Sequence, residues 1–90
     1  MMKEQPKFID NTEKGRFELV AEDSIAFVDY IRDEQKVTIF YTEIPMSMAK
    51  IDDLAIYFMN RIVKTCEEQE TELDIICPFA RAVIDKMQVR

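Results

Sequence analysis

The chain has 90 residues, 48% of them hydrophobic and 33% charged, with a net charge of −6, two cysteines and no histidine. That length admits one domain, and the missing histidine excludes imidazole base chemistry and Ser-His-Asp triads, leaving a metal site only carboxylates. An acidic chain with scattered Lys and Arg is not built for nucleic acid, Cys66 and Cys77 give no disulfide framework, and no run reaches the ~20 apolar residues of a membrane span.

The N-terminal MMKEQPKF carries charge without an apolar stretch behind it, so no signal peptide is read and the expected location is the cytoplasm, with both thiols reduced. Residues 1–6 are read as a disordered lead and 7–90 as the domain. A brief strand over Lys7 to Asp10 comes first. Asn11 to Gly15 is a turn holding the one glycine of the chain, the position most suited to a positive φ.

Arg16 to Ala21 alternates, Phe17 and Leu19 on one face and Arg16 and Glu18 on the other, as a half-buried strand does. After a turn at Glu22 to Ser24, Ile25 to Ile31 supplies the next strand. Lys36 to Ile44 (KVTIFYTEI), rich in β-branched and aromatic residues, supplies another. Short polar connections make these three an antiparallel meander.

Pro45 ends that strand, and Met46 to Ile51 is expected to be a loop. Asp52 is placed to cap a helix to about Glu68, with Asp53 in its first turn and Leu54, Ala55, Phe58, Met59, Ile62, Val63 and Cys66 as its apolar stripe. Thr71 to Cys77, apolar at its end, is expected to be a long central strand. Pro78 opens a final helix with Phe79, Val83, Ile84 and Met87 as the buried stripe. The segment from Lys36 to Cys77 is then a βαβ unit with parallel strands. The fold expected is α/β, or α+β in some schemes: a mixed, mostly antiparallel sheet with one parallel unit and two helices.

Five segments in order resemble the small single-domain N-acetyltransferase-like family of the GNAT superfamily. They are GRFEL (Gly15 to Leu19), AFVDY (Ala26 to Tyr30), YTEIP (Tyr41 to Pro45), the amphipathic helix, and CPF (Cys77 to Phe79). The resemblance implies a sheet that splays between the strand ending in TEIP and the one ending at Cys77. The pantetheine arm of acetyl-CoA would enter that gap and pair with strand backbone, with its pyrophosphate on the following helix N-terminus. It assigns cofactor binding to Thr42, Glu43, Ile44, Lys50, Asp53 and Leu54, catalysis to Cys77 and Glu43, and no metal. In the family this cysteine is a proposed acetyl acceptor.

The chain departs from the family pattern twice. The glycines of the pyrophosphate turn are replaced by Ile51 and Asp53, so Lys50-Ile51-Asp52-Asp53 sets two carboxylates where an anion would bind. Tyr41 stands where the family has histidine, and a phenol is a poor proton acceptor at neutral pH. Other readings stay open: Cys77 as a small core residue, Glu43 as a solvated carboxylate or partner of Lys50, Tyr41 as packing, and Met46 and Met48 as gap filling. Two functions follow. One is acetyl transfer from acetyl-CoA to an amine; the other is a catalytically inactive GNAT-like module, with a degenerate CoA loop, that binds a protein partner or itself as a homodimer.

Overall fold

The computed structural model describes residues 6–21, 23–49 and 53–88. The expectations for residues 1–5, Lys50, Ile51 and the Asp52 cap therefore lie outside the described residues. Five strands form one sheet in the order β1-β2-β3-β4-β5. They are β1 (Lys7–Asn11), β2 (Arg16–Ala21), β3 (Ser24–Arg32), β4 (Lys36–Glu43) and β5 (Glu72–Ile75). β1 to β4 pair antiparallel. β5 returns parallel to β4 after a helical crossover, as the expected βαβ unit requires.

Gly15 closes the first hairpin at φ 67. Its carbonyl accepts the Tyr30 N–H at 2.9 Å, and a Cβ there would stand 3.3 Å from the Tyr30 carbonyl oxygen. Alternation then sends Phe17 and Leu19 of β2, Ala26 and Val28 of β3, and Val37 and Ile39 of β4 into the core, all at 0% exposure. Helix α2 (Leu54–Glu68) lays Leu54, Phe58, Met59, Ile62 and Cys66 on that face.

Four sequence expectations are corrected. Met46 to Ala49 is not loop but a one-turn helix, α1 (Met46–Ala49), started by the Pro45 carbonyl, which accepts the N–H groups of Met48 and Ala49. It buries Met48 and leaves Met46 on the surface. β5 is a short edge strand, not a long central one: it ends at Ile75, and Ile76 is 62% exposed. In the last helix, α3 (Pro78–Gln88), the fully buried positions are Ala80 and Ile84, while Phe79 is half exposed. Finally, Asp53 is no first-turn residue. It is the N-cap of α2, and its side chain makes no cap hydrogen bond.

The C-terminus of α2 explains how a chain with a single glycine ends a helix. The Thr71 N–H bonds back to the Cys66 carbonyl at 2.9 Å and the Glu70 N–H to the Glu67 carbonyl at 3.1 Å, with Glu70 left-handed at φ 58. This is the Schellman arrangement with glutamate at the position glycine favours. The Thr71 hydroxyl adds a bond to the same Cys66 carbonyl at 3.2 Å.

Candidate functional site

The site begins with an irregularity in β4. Tyr30 faces Ile39, yet Asp29 faces Tyr41, so Phe40 is an extra residue with no partner on β3. Side chains on a strand alternate, and one inserted residue therefore reverses the face of everything after it. Without the bulge Tyr41 would point with Ile39 into the core. With it, Tyr41 and Glu43 join Asp29 and Phe27 on the far face, and Thr42 turns to the core side beside Val28.

Beyond the bulge β4 also loses β5. The two strands pair from Lys36/Glu72 to Ile39/Ile75. The Ile39 carbonyl then accepts both the Ile76 N–H at 2.9 Å and the Cys77 N–H at 3.3 Å, and there the strands part. Tyr41 to Glu43 thus present one backbone edge without a β5 partner, the kind of edge on which an extended ligand can add as a strand.

The gap opens into a cleft of about 680 Å³, within the range of roughly 300–1,000 Å³ usual for small-molecule sites. Thr42, Glu43 and Ile44 form one wall, Met48 and Ala49 of α1 another, and Phe79, Val83 and Lys86 of α3 a third. The floor is the start of α2: Asp53, Leu54, Ala55 and Ile56. With Asp53 as the N-cap, the first bond of this helix among the described residues runs from the Tyr57 N–H to the Asp53 carbonyl at 2.9 Å. The N–H groups of Leu54, Ala55 and Ile56 therefore precede the helical ladder, and they belong to residues lining the cleft.

Asp53 has φ 66 and ψ 10, a left-handed conformation. The turn keeps, at the last residue before the helix, the backbone that glycine adopts freely, although the residue is aspartate. Positive potential from the helix start and from Lys86 meets the carboxylate of Asp53 along this cleft, while the Glu43 side chain turns to the far face.

Cys77 stands just behind the wall. It is 5% exposed, at the start of α3, with its Sγ 3.5 Å from the Thr42 Oγ1. Burial raises its thiol pKa, but hydrogen bonding with the Thr42 hydroxyl and with the backbone N–H groups of Ala80, Phe79 and Thr42 outweighs it and sets the thiol below its ordinary range. Cys66, buried under α2 and beside Thr71, moves the opposite way, chiefly through burial. Glu43 is exposed, and one of its carboxylate oxygens accepts the Tyr41 phenol proton at 2.7 Å. That bond, followed by the charge of Glu43, raises the Tyr41 pKa.

Of the residues singled out in the sequence, Thr42, Glu43, Ile44, Asp53 and Leu54 line the cleft, and Cys77 touches one of its walls through Thr42. Lys50 lies outside the described residues. Sequence reasoning missed the contribution of α3. Phe79, Val83 and Lys86 follow at spacings of four and three, a helical stripe that includes a cation, and this could have marked a second lined face distinct from the core stripe of Ala80 and Ile84. A family model described as GCN5-related N-acetyl-transferase matches residues 16–89. No curated protein and no solved structure matches the chain.

Proposed function

The chain belongs to the GCN5-related N-acetyltransferase family, and from that premise we propose that the cleft binds acetyl-CoA and that the protein passes the acetyl group to a primary amine. The observation that carries this reading is the coincidence of two features. β4 and β5 part at Ile39, and the opening they leave is floored by the unladdered N–H groups of Leu54, Ala55 and Ile56. An arm extended along the free edge of β4 then leads to a terminus suited to phosphate.

Acetyl-CoA, when bound, supplies an activated acyl carbon on a thioester. The residues around it have separable roles. Ile44, Met48, Phe79 and Val83 give apolar walls, Lys86 supplies a cation in the lining, and Glu43 can take the proton that an ammonium acceptor must lose before its nitrogen attacks. Cys77 is the other candidate acceptor: its thiolate would take the acetyl group first and yield it to the amine. In either route the new bond forms at the acyl carbon as the carbon–sulfur bond of the thioester breaks.

A second reading rests on Asp53. Its carboxylate stands at the helix start where the family has glycine, and an anion there repels phosphate by about 1 kcal/mol in water at ~4 Å and by more in a partly dehydrated site. If that repulsion prevails, the domain is an inactive relative that retains the fold for binding a partner. Calorimetric titration with acetyl-CoA at low salt, for the native chain and for Asp53→Gly, decides between them. The enzyme reading expects saturable binding that tightens in the variant. Absence of binding to both proteins at millimolar acetyl-CoA removes it.

A further inference from the structure

We propose that Lys86, in the last turn of α3, recognises the phosphate end of the acyl donor and makes the cleft select a phosphorylated thioester over the same thioester without phosphate. The proposal rests on the donor reading of the cleft and names the residue that decides its charge.

Three observations carry it. The first is the rotation of α3. Ala80 and Ile84 are buried in the core and fix one stripe of the helix there. The neighbouring stripe, Phe79, Val83 and Lys86, is thereby turned to the cleft and lines it. The second is the order along that stripe, two apolar residues and then a cation. From Pro78, beside Cys77, to Lys86 the helix covers about 12 Å. A pantetheine arm spans roughly 15 Å from sulfur to phosphorus at the reach of an extended backbone. With the length of the lysine side chain added, the wall is apolar along its course and positive at its end, as such an arm is apolar along its course and negative at its end.

The third is the sum of charge in the cleft. The start of α2 is equivalent to about half a positive charge, and Asp53 beside it carries a full negative one, so these two alone leave the floor repelling an anion. Lys86 is the only cation among the described lining residues, and with it the sum changes sign. Among the described residues it forms no ion pair, so its charge is not already neutralised. The other cations of the helices are placed elsewhere. The Arg81 guanidinium donates to the Ile75 carbonyl at 3.4 Å, the Arg61 guanidinium lies 4.9 Å from the centre of the Phe8 ring, and Lys64 does not line the cleft. Whether this cleft attracts or repels a phosphate thus turns on one side chain from α3.

The test is calorimetric titration at low salt with acetyl-CoA and with S-acetylphosphopantetheine and S-acetylpantetheine, which differ from each other only by the phosphate. The native chain should bind the phosphorylated arm more tightly than the bare one. Lys86→Met should weaken acetyl-CoA and S-acetylphosphopantetheine about three- to fivefold, the effect of one exposed ion pair, and make their salt dependence shallower. S-acetylpantetheine should stay within about twofold in the same variant, and Lys86→Arg should keep the native preference. Lys86 is exposed, so both variants are expected to fold. A lysine that served only as wall or as the basic end of α3 would affect the three ligands alike. Equal weakening of all three, unchanged affinities in Lys86→Met, or no preference of the native chain for the phosphorylated arm overturns the proposal and leaves the donor reading standing. A native chain that binds none of the three removes the donor reading, and this proposal with it.

Discussion

The Cys77 thiol and the Thr42 hydroxyl meet at 3.5 Å where β4 and β5 have just separated, so among the described residues a polar side-chain contact across the gap holds the Cys77 sulfur. Thr42→Val removes the hydroxyl and leaves the shape nearly unchanged. Burial, the largest influence on this thiol, then faces only the backbone N–H groups, and the Cys77 pKa should rise. Measured as iodoacetamide alkylation against pH, the half-maximal rate moves upward in Thr42→Val and returns in Thr42→Ser. Cys66 is the internal control: it should stay unreactive in the folded protein at neutral pH, because burial raises its pKa.

Glu70 offers a second prediction. It holds a left-handed φ of 58 at the end of α2 and places a carboxylate beside the carbonyl end of the helix. Both are unfavourable, the first by about 1–2 kcal/mol for a residue with a Cβ and the second by a few tenths of a kcal/mol. Glu70→Gly should therefore stabilise the chain by about 1 kcal/mol, a rise in Tm of roughly 4–8 °C for a domain of this size. Unchanged or lowered Tm would show that the Schellman geometry exerts no strain on glutamate.

The meander, the βαβ crossover and the extent of α2 were legible because each rests on a strong local signal: apolar and charged residues alternating from Arg16 to Leu19, Pro45 as a stop, apolar spacing from Leu54 to Cys66. The bulge was not. In KVTIFYTEI the pair Phe40-Tyr41 fits either phase of an alternating strand, so nothing local tells which residue is extra, and the choice is made by pairing with β3. The apolar run Ile75-Ile76-Cys77 misled in another way. It reads as a strand buried on both sides, whereas Ile75 and Cys77 are buried and Ile76 between them is exposed at the sheet edge. Five of the six positions that the resemblance singled out line the cleft, because the end of β4 and the start of α2 form two of its sides.

At the end of the sheet away from the cleft, Tyr30 donates to the Asp10 carboxylate at 2.6 Å, and Arg32 reaches both Asp10 at 3.4 Å and the Gln69 side chain at 3.0 Å. Burial first, then the bond to Asp10, pushes the Tyr30 pKa up to about 12. The folded value exceeds the unfolded one of about 10, so this tyrosine contributes stability that is complete below pH ~10 and disappears as pH rises towards ~12. In Tyr30→Phe the chain should lose about 1.5–3 kcal/mol at neutral pH, as one hydrogen bond to a charged acceptor is removed. The alkaline fall in Tm should also become shallower, and an unchanged alkaline limb would refute the assignment.

The opposite limb belongs to Glu18, the buried carboxylate on the far face of the sheet. The Arg16 guanidinium at 2.8 Å is the main reason that its pKa lies below the usual carboxylate range, and Asn11 adds a bond at 3.2 Å. A folded value below the unfolded one means that the unfolded chain takes up the proton first as pH falls, so this contribution is complete above the ordinary carboxylate range and is lost through the folded pKa. Arg16→Met keeps an apolar stem on the sheet but removes the guanidinium from both Glu18 and the Phe27 ring. It should cost about 1.5–3 kcal/mol at pH 7, the range for a hydrogen bond to a charged group. Below pH ~5 the difference between variant and native chain should narrow, since protonating Glu18 removes what Arg16 stabilised. Denaturant titration at pH 7 and pH 4 reads both quantities. An equal gap at the two pH values would mean that Arg16 acts through its packing on Phe27 and that the ion pair contributes nothing.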